Sequence, residues 1–166
     1  MRIRPEIASD ATRIDTVVTE AFKTAAHASG TEAQIVRLLR ADGALQLSLV
    51  AEEDGVILGY VAVSAARIGD AEGWSLFGPL AVSPEKQRQG IGSALMTEAL
   101  ARLRGAARGA VLVGDLTYYR RFGFRVWPGL FLPGVPDYAT LALPLEPGVE
   151  PAGELFLHPA FALDMP

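Results

Sequence analysis

Between Gly78 and Leu95 the chain reads Gly78-Pro79-Leu80-Ala81-Val82-Ser83-Pro84-Glu85-Lys86-Gln87-Arg88-Gln89-Gly90-Ile91-Gly92-Ser93-Ala94-Leu95. An apolar strand gives way to a polar loop, and two glycines then open an amphipathic helix. The first N–H groups of a helix have no partner within it and carry a partial positive charge, so such a start suits an anion. Gly90 and Gly92 have no Cβ, which lets a bulky diphosphate approach the main chain closely. Lys86 and Arg88 add positive charge at the rim. The chemistry on offer is diphosphate binding, and a glycine-opened helix that binds nothing is the plain alternative. Two other phosphate loops fit poorly. A dinucleotide-binding loop places its glycines directly after the strand and a third small residue on the helix. Here Ser83 to Gln89 intervene, and Leu95 stands where the third glycine belongs. A Walker-type loop needs Gly-Lys-Ser/Thr, which is absent.

The surrounding elements are legible from hydrophobic period. Arg2 to Pro5 reads as a short strand. Ser9 or Asp10 caps a helix whose Ile14, Val17, Val18, Ala21 and Phe22 form one stripe. The segment His27 to Gly30 breaks it. Thr31 with Gln34 then fits a capping box for a second helix with Ile35, Leu38 and Leu39 on one face. From Leu45 to Ala51 the period becomes two, Glu52 to Gly55 makes a polar turn, and Val56 to Ser64 returns as the second arm of a hairpin. A strand over Trp74 to Val82 leads into the glycine-opened helix, whose Ile91, Leu95, Ala99 and Leu103 step by four until Gly105 stops it. Ala110 to Val113 is wholly apolar, as a strand buried on both faces would be. Asp115 caps a brief helix through Phe122, and Gly123 ends it. Strand character resumes over Tyr138 to Leu143, and Glu154 to Leu163 packs back on the domain. The order predicts an α/β fold over residues 1–166 as one domain, a mixed sheet with helices on both faces.

Composition narrows the function. Of 166 residues 50% are hydrophobic and 20% charged, ordinary for a globular domain. The net charge of −4 argues against nucleic acid as the main partner, because phosphate backbones are held by clustered Lys and Arg. With no cysteine, disulfides, thiolate metal sites and a cysteine nucleophile are excluded. His27 and His158 show no metal-ligand spacing, so no metal is expected. The charged residues within Met1 to Asp10 do not suit a signal peptide, and no segment has the apolar length of a membrane span. A cytoplasmic protein without membrane partners is the expectation, with a homodimer possible.

Gln87-Arg88-Gln89-Gly90-Ile91-Gly92 resembles the Q/R-x-x-G-x-G/A signature of the GNAT superfamily of N-acetyltransferases. Gly78 to Val82 looks like the strand of that family where a bulge splays the sheet. Gly114-Asp115-Leu116-Thr117-Tyr118-Tyr119-Arg120-Arg121-Phe122-Gly123-Phe124 is similar to its Tyr-x-x-x-Gly-Phe segment, and the doubled tyrosine is similar to one bacterial branch. The resemblance spans nearly the whole chain. It implies a mostly antiparallel sheet with a splayed parallel pair, acetyl-CoA as co-substrate, and transfer of the acetyl group to an amine. It also implies site residues. Leu80 and Val82, with Ala81 between them, would offer main-chain groups to pantetheine. Gln87, Arg88, Gln89, Gly90, Ile91, Gly92 and Ser93 would cradle the pyrophosphate, and Phe122 would line the cofactor or the core.

Acyl transfer to an amine needs a neutral amine, a polarised carbonyl and a stabilised thiolate. An amine of pKa about 10.4 costs roughly 4–5 kcal/mol to deprotonate at pH 7. A carboxylate or a desolvating pocket lowers that cost. Many members of the family carry an acidic residue on the splayed strand, but Trp74 to Val82 contains none, so the base is unassigned. Glu32 and His27 are the nearest candidates by resemblance, and Glu32 equally suits the first turn of a helix. The Val82 N–H is the candidate to polarise the thioester carbonyl. Tyr119 is the candidate to hydrogen-bond the departing sulfur, with a core aromatic beneath Phe124 as the alternative. Tyr118, outside the matched spacing, reads as structural. Arg102, Arg104, Arg108, Arg120 and Arg121 read as a solvated face. A coenzyme-binding module without turnover, or a site for another phosphorylated nucleotide, stays open at this point.

Overall fold

The computed structural model describes residues 1–23 and 30–164. Strands β1 (Arg2–Pro5), β2 (Leu45–Glu53), β3 (Val56–Ile68) and β4 (Ala71–Val82) form consecutive antiparallel pairs. Strand β5 (Gly109–Val113) lies parallel to β4, and β8 (Thr140–Pro144) and β6 (Arg125–Val126) continue the sheet beyond it. Helices α1 (Ala11–Phe22) and α2 (Glu32–Ala41) cover one face. Helix α3 (Ile91–Leu103) covers the other, and a short helix α4 (Leu116–Tyr119) follows β5. The architecture is a mixed α/β sheet, mostly antiparallel, with one parallel pair.

Alternation along the strands sorts their side chains between the two faces. Val50, Tyr60, Ala62 and Ala81 meet Ile14, Val17, Val18 and Val36 beneath α1 and α2. Leu49, Val61, Val63 and Phe77 meet Leu95, Met96, Ala99 and Leu103 beneath α3, with Leu112, Phe124 and Leu141 completing that core. Each such buried Leu, Ile or Val contributes about 1.5–3 kcal/mol relative to an exposed one. Gly59 seats α3 tightly, because a Cβ there would meet Ile91 Cγ2 at 2.9 Å and Leu95 Cδ1 at 3.0 Å.

Polar contacts fix α1 and α2 on their face. Arg4 bridges Asp10 at 2.8 Å and Glu52 at 2.6 Å, and the Asp10 carboxylate also accepts the Ile7 N–H at 2.8 Å. The Arg4 guanidinium, followed by that N–H, holds the Asp10 carboxyl below the usual carboxylate range. Arg40 on α2 donates to Glu6 through Nε and Nη2 at 2.9 and 3.0 Å. Ser48 bonds both Glu6 and, at 2.7 Å, the Tyr60 hydroxyl. Burial pushes the Tyr60 phenol well above its ordinary range.

Several expectations need correction. Thr31 and Gln34 form no capping box. The Thr31 hydroxyl donates instead to Asp164 at 2.6 Å, a contact from the far end of the chain. Leu38 is 42% exposed, because the stripe that faces the core is Ile35, Val36 and Leu39. β3 runs past the expected Ser64 to Ile68, and β4 begins at Ala71 rather than at Trp74, so a tight turn joins them. Tyr138 is exposed in a single 3-10 turn, Asp137–Ala139, and β8 starts after it. Three short strands were not anticipated: β6, β7 (Leu130–Phe131) and β9 (Gly153–Phe156). β9 pairs with β3 at Arg67 and Ile68 and parallel to β7. Together with Trp74, Leu76 and Val111 the segment that carries β7 and β9 builds a third cluster around Leu130, Leu132 and Leu155.

Candidate coenzyme site

The site begins where two strands part. β4 pairs with β5 only through Trp74, Ser75 and Leu76, opposite Gly109, Ala110 and Val111. From Phe77 to Val82 β4 keeps β3 on one side and has no strand on the other. The register with β3 jumps from Val61–Leu80 to Val63–Phe77, so Gly78 and Pro79 together oppose Ala62 in a bulge.

Ladder parity shows which main-chain groups face the gap. The Ser83 N–H donates to Leu58 O at 2.8 Å, making Leu58–Ser83 a hydrogen-bonded pair. In an antiparallel ladder such pairs alternate, so Tyr60–Ala81 is bonded while Gly59–Val82 and Val61–Leu80 are not. The N–H and C=O groups of Leu80 and Val82 therefore point away from β3, into the gap. The side-chain amide of Gln87 meets Val82 O there at 3.1 Å. Ala81 turns its main chain back to β3 and buries its side chain beneath α1. It shares the strand but not the gap.

The loop after β4 folds as a 3-10 turn, Pro84–Lys86, and then reverses. Arg88 has φ 64° and Gly90 φ 86°, so left-handed residues flank Gln89. Alternating handedness of this kind gathers successive N–H groups into a concavity that accepts an anion. Gly90 is the N-cap of α3, and no side chain caps that helix. Its first internal bond is Ala94 N–H to Gly90 O at 3.0 Å, which leaves the N–H groups of Ile91, Gly92 and Ser93 pointing out of the helix start. The Ile91 side chain is buried beneath α3, so this residue contributes to the site through its backbone. Arg88 and Gln89 are exposed, and the Gln89 amide donates to Glu85 O at 3.4 Å.

The aromatic segment closes the other side. Asp115 caps α4 through a 2.9 Å bond to the Thr117 N–H. Tyr119 packs edge-on against Phe124 at 6.1 Å and Tyr118 at 4.9 Å, with Phe122 at 6.4 Å. Burial, with a smaller contribution from neighbouring Tyr118, pushes the Tyr119 phenol up to about 12. Tyr118 takes a place that motif spacing had not suggested. Its hydroxyl lies 3.3 Å from Ser93 Oγ, at the start of α3. Nothing local in the sequence signals this, since it depends on how α4 docks beside α3.

Glu32 is buried in the first turn of α2, on the opposite face of the sheet from the α3 start. His27 lies outside the described residues. The longer β4 does carry an acidic residue, Glu72, but six positions before Gly78, or about 20 Å along a strand. Glu72 instead lines a hollow of about 530 Å³ with Gln46, Arg67 and His158. The five arginines expected on a solvated face are all exposed; Arg102 pairs with Glu98 at 3.8 Å, and the Arg121 guanidinium sits 4.3 Å over the Tyr118 ring. Among the described residues no cluster of His, Cys, Asp or Glu could hold a metal, and no helix is long and apolar enough to cross a membrane.

A parted strand pair with outward main-chain groups, ending at an uncapped helix start, has counterparts in known proteins. The acetyltransferase (GNAT) domain family matches residues 45–126. The uncharacterized N-acetyltransferase YhbS of Escherichia coli K12 is 38% identical over 141 residues, 78% of this chain and 81% of that one. A GNAT family acetyltransferase from Brucella melitensis, solved in complex with acetyl-CoA, is 46% identical over 96% of this chain and 97% of its own, with a TM-score of 0.85. YhbS itself, solved with CoA, superposes with a TM-score of 0.86 at 33% identity, over 97% and 91% of the two chains. The chain thus belongs to the GNAT superfamily of N-acetyltransferases and is an acyltransferase enzyme.

Proposed function

We propose that this chain, acting as one domain, transfers the acetyl group of acetyl-CoA to a primary amine by direct attack within a ternary complex. The observation that carries the proposal is the placing of outward main-chain groups on Leu80 and Val82 beside the uncapped start of α3. Strand edge and helix start offer pantetheine and diphosphate the hydrogen-bonding partners each requires. The similar protein from Brucella melitensis and YhbS, solved with acetyl-CoA and CoA, support the same ligand here.

The coenzyme supplies an acyl group activated as a thioester, and the chain's own groups do the rest. The N–H groups of Ile91, Gly92 and Ser93 hold the diphosphate, and the Val82 N–H faces the gap where a thioester carbonyl would be polarised. The amine nitrogen bonds to the carbonyl carbon, the C–S bond breaks, and the nitrogen loses its proton to solvent. Tyr119 donates a hydrogen bond to the departing sulfur. With the phenol at about 12 and a thiol near 8.5, complete proton transfer would be uphill by about 5 kcal/mol, so Tyr119 keeps its proton. Without cysteine, and with no serine seen beside a histidine among the described residues, direct transfer is the simpler route.

The test is release of free thiol from acetyl-CoA against a panel of primary amines, alongside coenzyme binding by calorimetry. Turnover with at least one amine, linear from the first cycle, supports the reading. Coenzyme binding with turnover in the absence of any amine, or an initial burst of one thiol per chain, contradicts direct transfer. Absence of coenzyme binding removes the proposal altogether.

A further inference from the structure

We propose that Tyr118 is a side-chain ligand for the coenzyme's diphosphate, and that position 92 is glycine so that the tyrosine hydroxyl can reach it. The inference rests on the coenzyme reading above and adds a residue to it. Three independent contacts place the phenol. Its hydroxyl lies 3.3 Å from Ser93 Oγ, in the first turn of α3. A Cβ on Gly92 would stand 3.1 Å from the same oxygen, against 3.7 Å and 3.8 Å from Val82 and Leu80 side chains. Arg121 stacks over the ring at 4.3 Å and donates from Nε to Tyr118 O at 2.8 Å, which fixes the ring's direction.

Chemistry selects the ligand. At the α3 start the Ile91, Gly92 and Ser93 N–H groups already face outward, and two hydroxyls stand beside them with rotatable protons. One hydroxyl donates to the other, which leaves the second hydroxyl proton and the three N–H groups as donors, and the helix end adds a partial positive charge. Such a set suits a polyanion with many acceptor oxygens. The thioester, by contrast, needs few donors. Tyr119 packs beside Phe124 rather than at Ser93, so Tyr118 is the tyrosine placed for the diphosphate, apart from the role proposed above for Tyr119 at the sulfur.

A hydrogen bond to a charged acceptor fits a loss of about tenfold in affinity when the hydroxyl is removed. Tyr118→Phe should therefore raise the Kd for CoA about tenfold in calorimetry. It should also cut the preference for acetyl-CoA over S-acetylpantetheine, measured as a ratio of kcat/KM, by a similar factor. Ser93→Ala provides a second variant at the same point with the same expected direction. Gly92→Ala should weaken CoA binding by crowding the phenol, and adding Tyr118→Phe to it should cost nothing further, so the double variant binds like Gly92→Ala alone. Melting curves establish that each variant is folded. An unchanged Kd in Tyr118→Phe overturns the inference while leaving the coenzyme reading intact. So do equal losses with both thioesters, which would place the hydroxyl at the sulfur, or losses that multiply independently in the double variant. A wild-type chain that binds no CoA overturns the parent reading and this one with it.

Discussion

The two helices that begin near the gap start in opposite ways. Helix α4 satisfies itself: the Asp115 carboxylate takes the Thr117 N–H, and the chain turns on. Helix α3 opens on Gly90, which has no side chain to offer, and leaves its first donors uncapped. The turn that leads into α1 also uses a carboxylate, with Asp10 bound to the Ile7 N–H and to Arg4, although α1 and α2 have no side-chain cap of their own. Among the helix starts without a side-chain cap, that of α3 stands where two strands part, which is where the proposed ligand would complete it.

Giving α3 the kind of residue that closes α4 should break that contrast most severely. Asp tolerates left-handed backbone better than most residues, so Gly90→Asp should fold with a cost of about 1 kcal/mol or less. Its carboxylate would face the diphosphate, and like charges in contact cost several kcal/mol. The expected result is a rise in the Kd for CoA of about a thousandfold with the melting temperature nearly unchanged. Binding within tenfold of the wild type would show that the α3 start does not hold the anion.

Next in size is Tyr119→Phe, which leaves the helix starts alone and removes the hydroxyl proposed to meet the sulfur. A drop in kcat of about a hundredfold, with the Kd for CoA little changed, is expected from steady-state and binding measurements. The phenol at about 12 also sets a pH signature. As pH rises the amine loses its proton and the rate climbs, and Tyr119 stays protonated until pH approaches 12. The profile should then show no falling limb from this group below about pH 11. A falling limb near pH 10 would place the phenol in water rather than in the core.

Sequence reading recovered the long elements because their buried positions recur at fixed period, as in Ile14, Val17, Val18 and Ala21 of α1. It also marked the loop and helix start now proposed to hold the diphosphate, since glycines after a strand are a local signal. What escaped was decided at a distance. Strands β6, β7 and β9 span two to four residues each, too short to show a period. Thr31 and Gln34 have the spacing of a capping box, yet the Thr31 hydroxyl bonds Asp164, 133 residues on. The neighbouring tyrosines show the same limit. Their motif spacing singles out Tyr119, and only the docking of α4 reveals that the Tyr118 hydroxyl reaches Ser93.

Smaller effects sharpen the comparison from the self-capped side. Asp115→Ala removes a cap worth about 1 kcal/mol, lowering the melting temperature by roughly 2–4 °C for a chain of this size. Its effect on coenzyme affinity should be far below that of Gly90→Asp, and a comparable loss of affinity would erase the distinction between the two starts. At the α1 start the Asp10 carboxyl titrates below its unfolded value of 3.8. Its contribution is therefore complete above about pH 5 and is lost as pH falls through 3.8 toward the lower folded value. Denaturant titrations between pH 6 and 3 should show declining stability, with a shallower decline in Asp10→Asn. Equal slopes in the two proteins would mean that Arg4 does not hold the charge.

The most direct measurement is a crystal structure of the chain grown with CoA, read at the main chain of residues 90 to 93. Diphosphate oxygens within about 3.2 Å of the Ile91, Gly92 and Ser93 nitrogens are the predicted result. A coenzyme bound with its diphosphate elsewhere, or those nitrogens bonded to the protein's own side chains in its presence, would contradict the account.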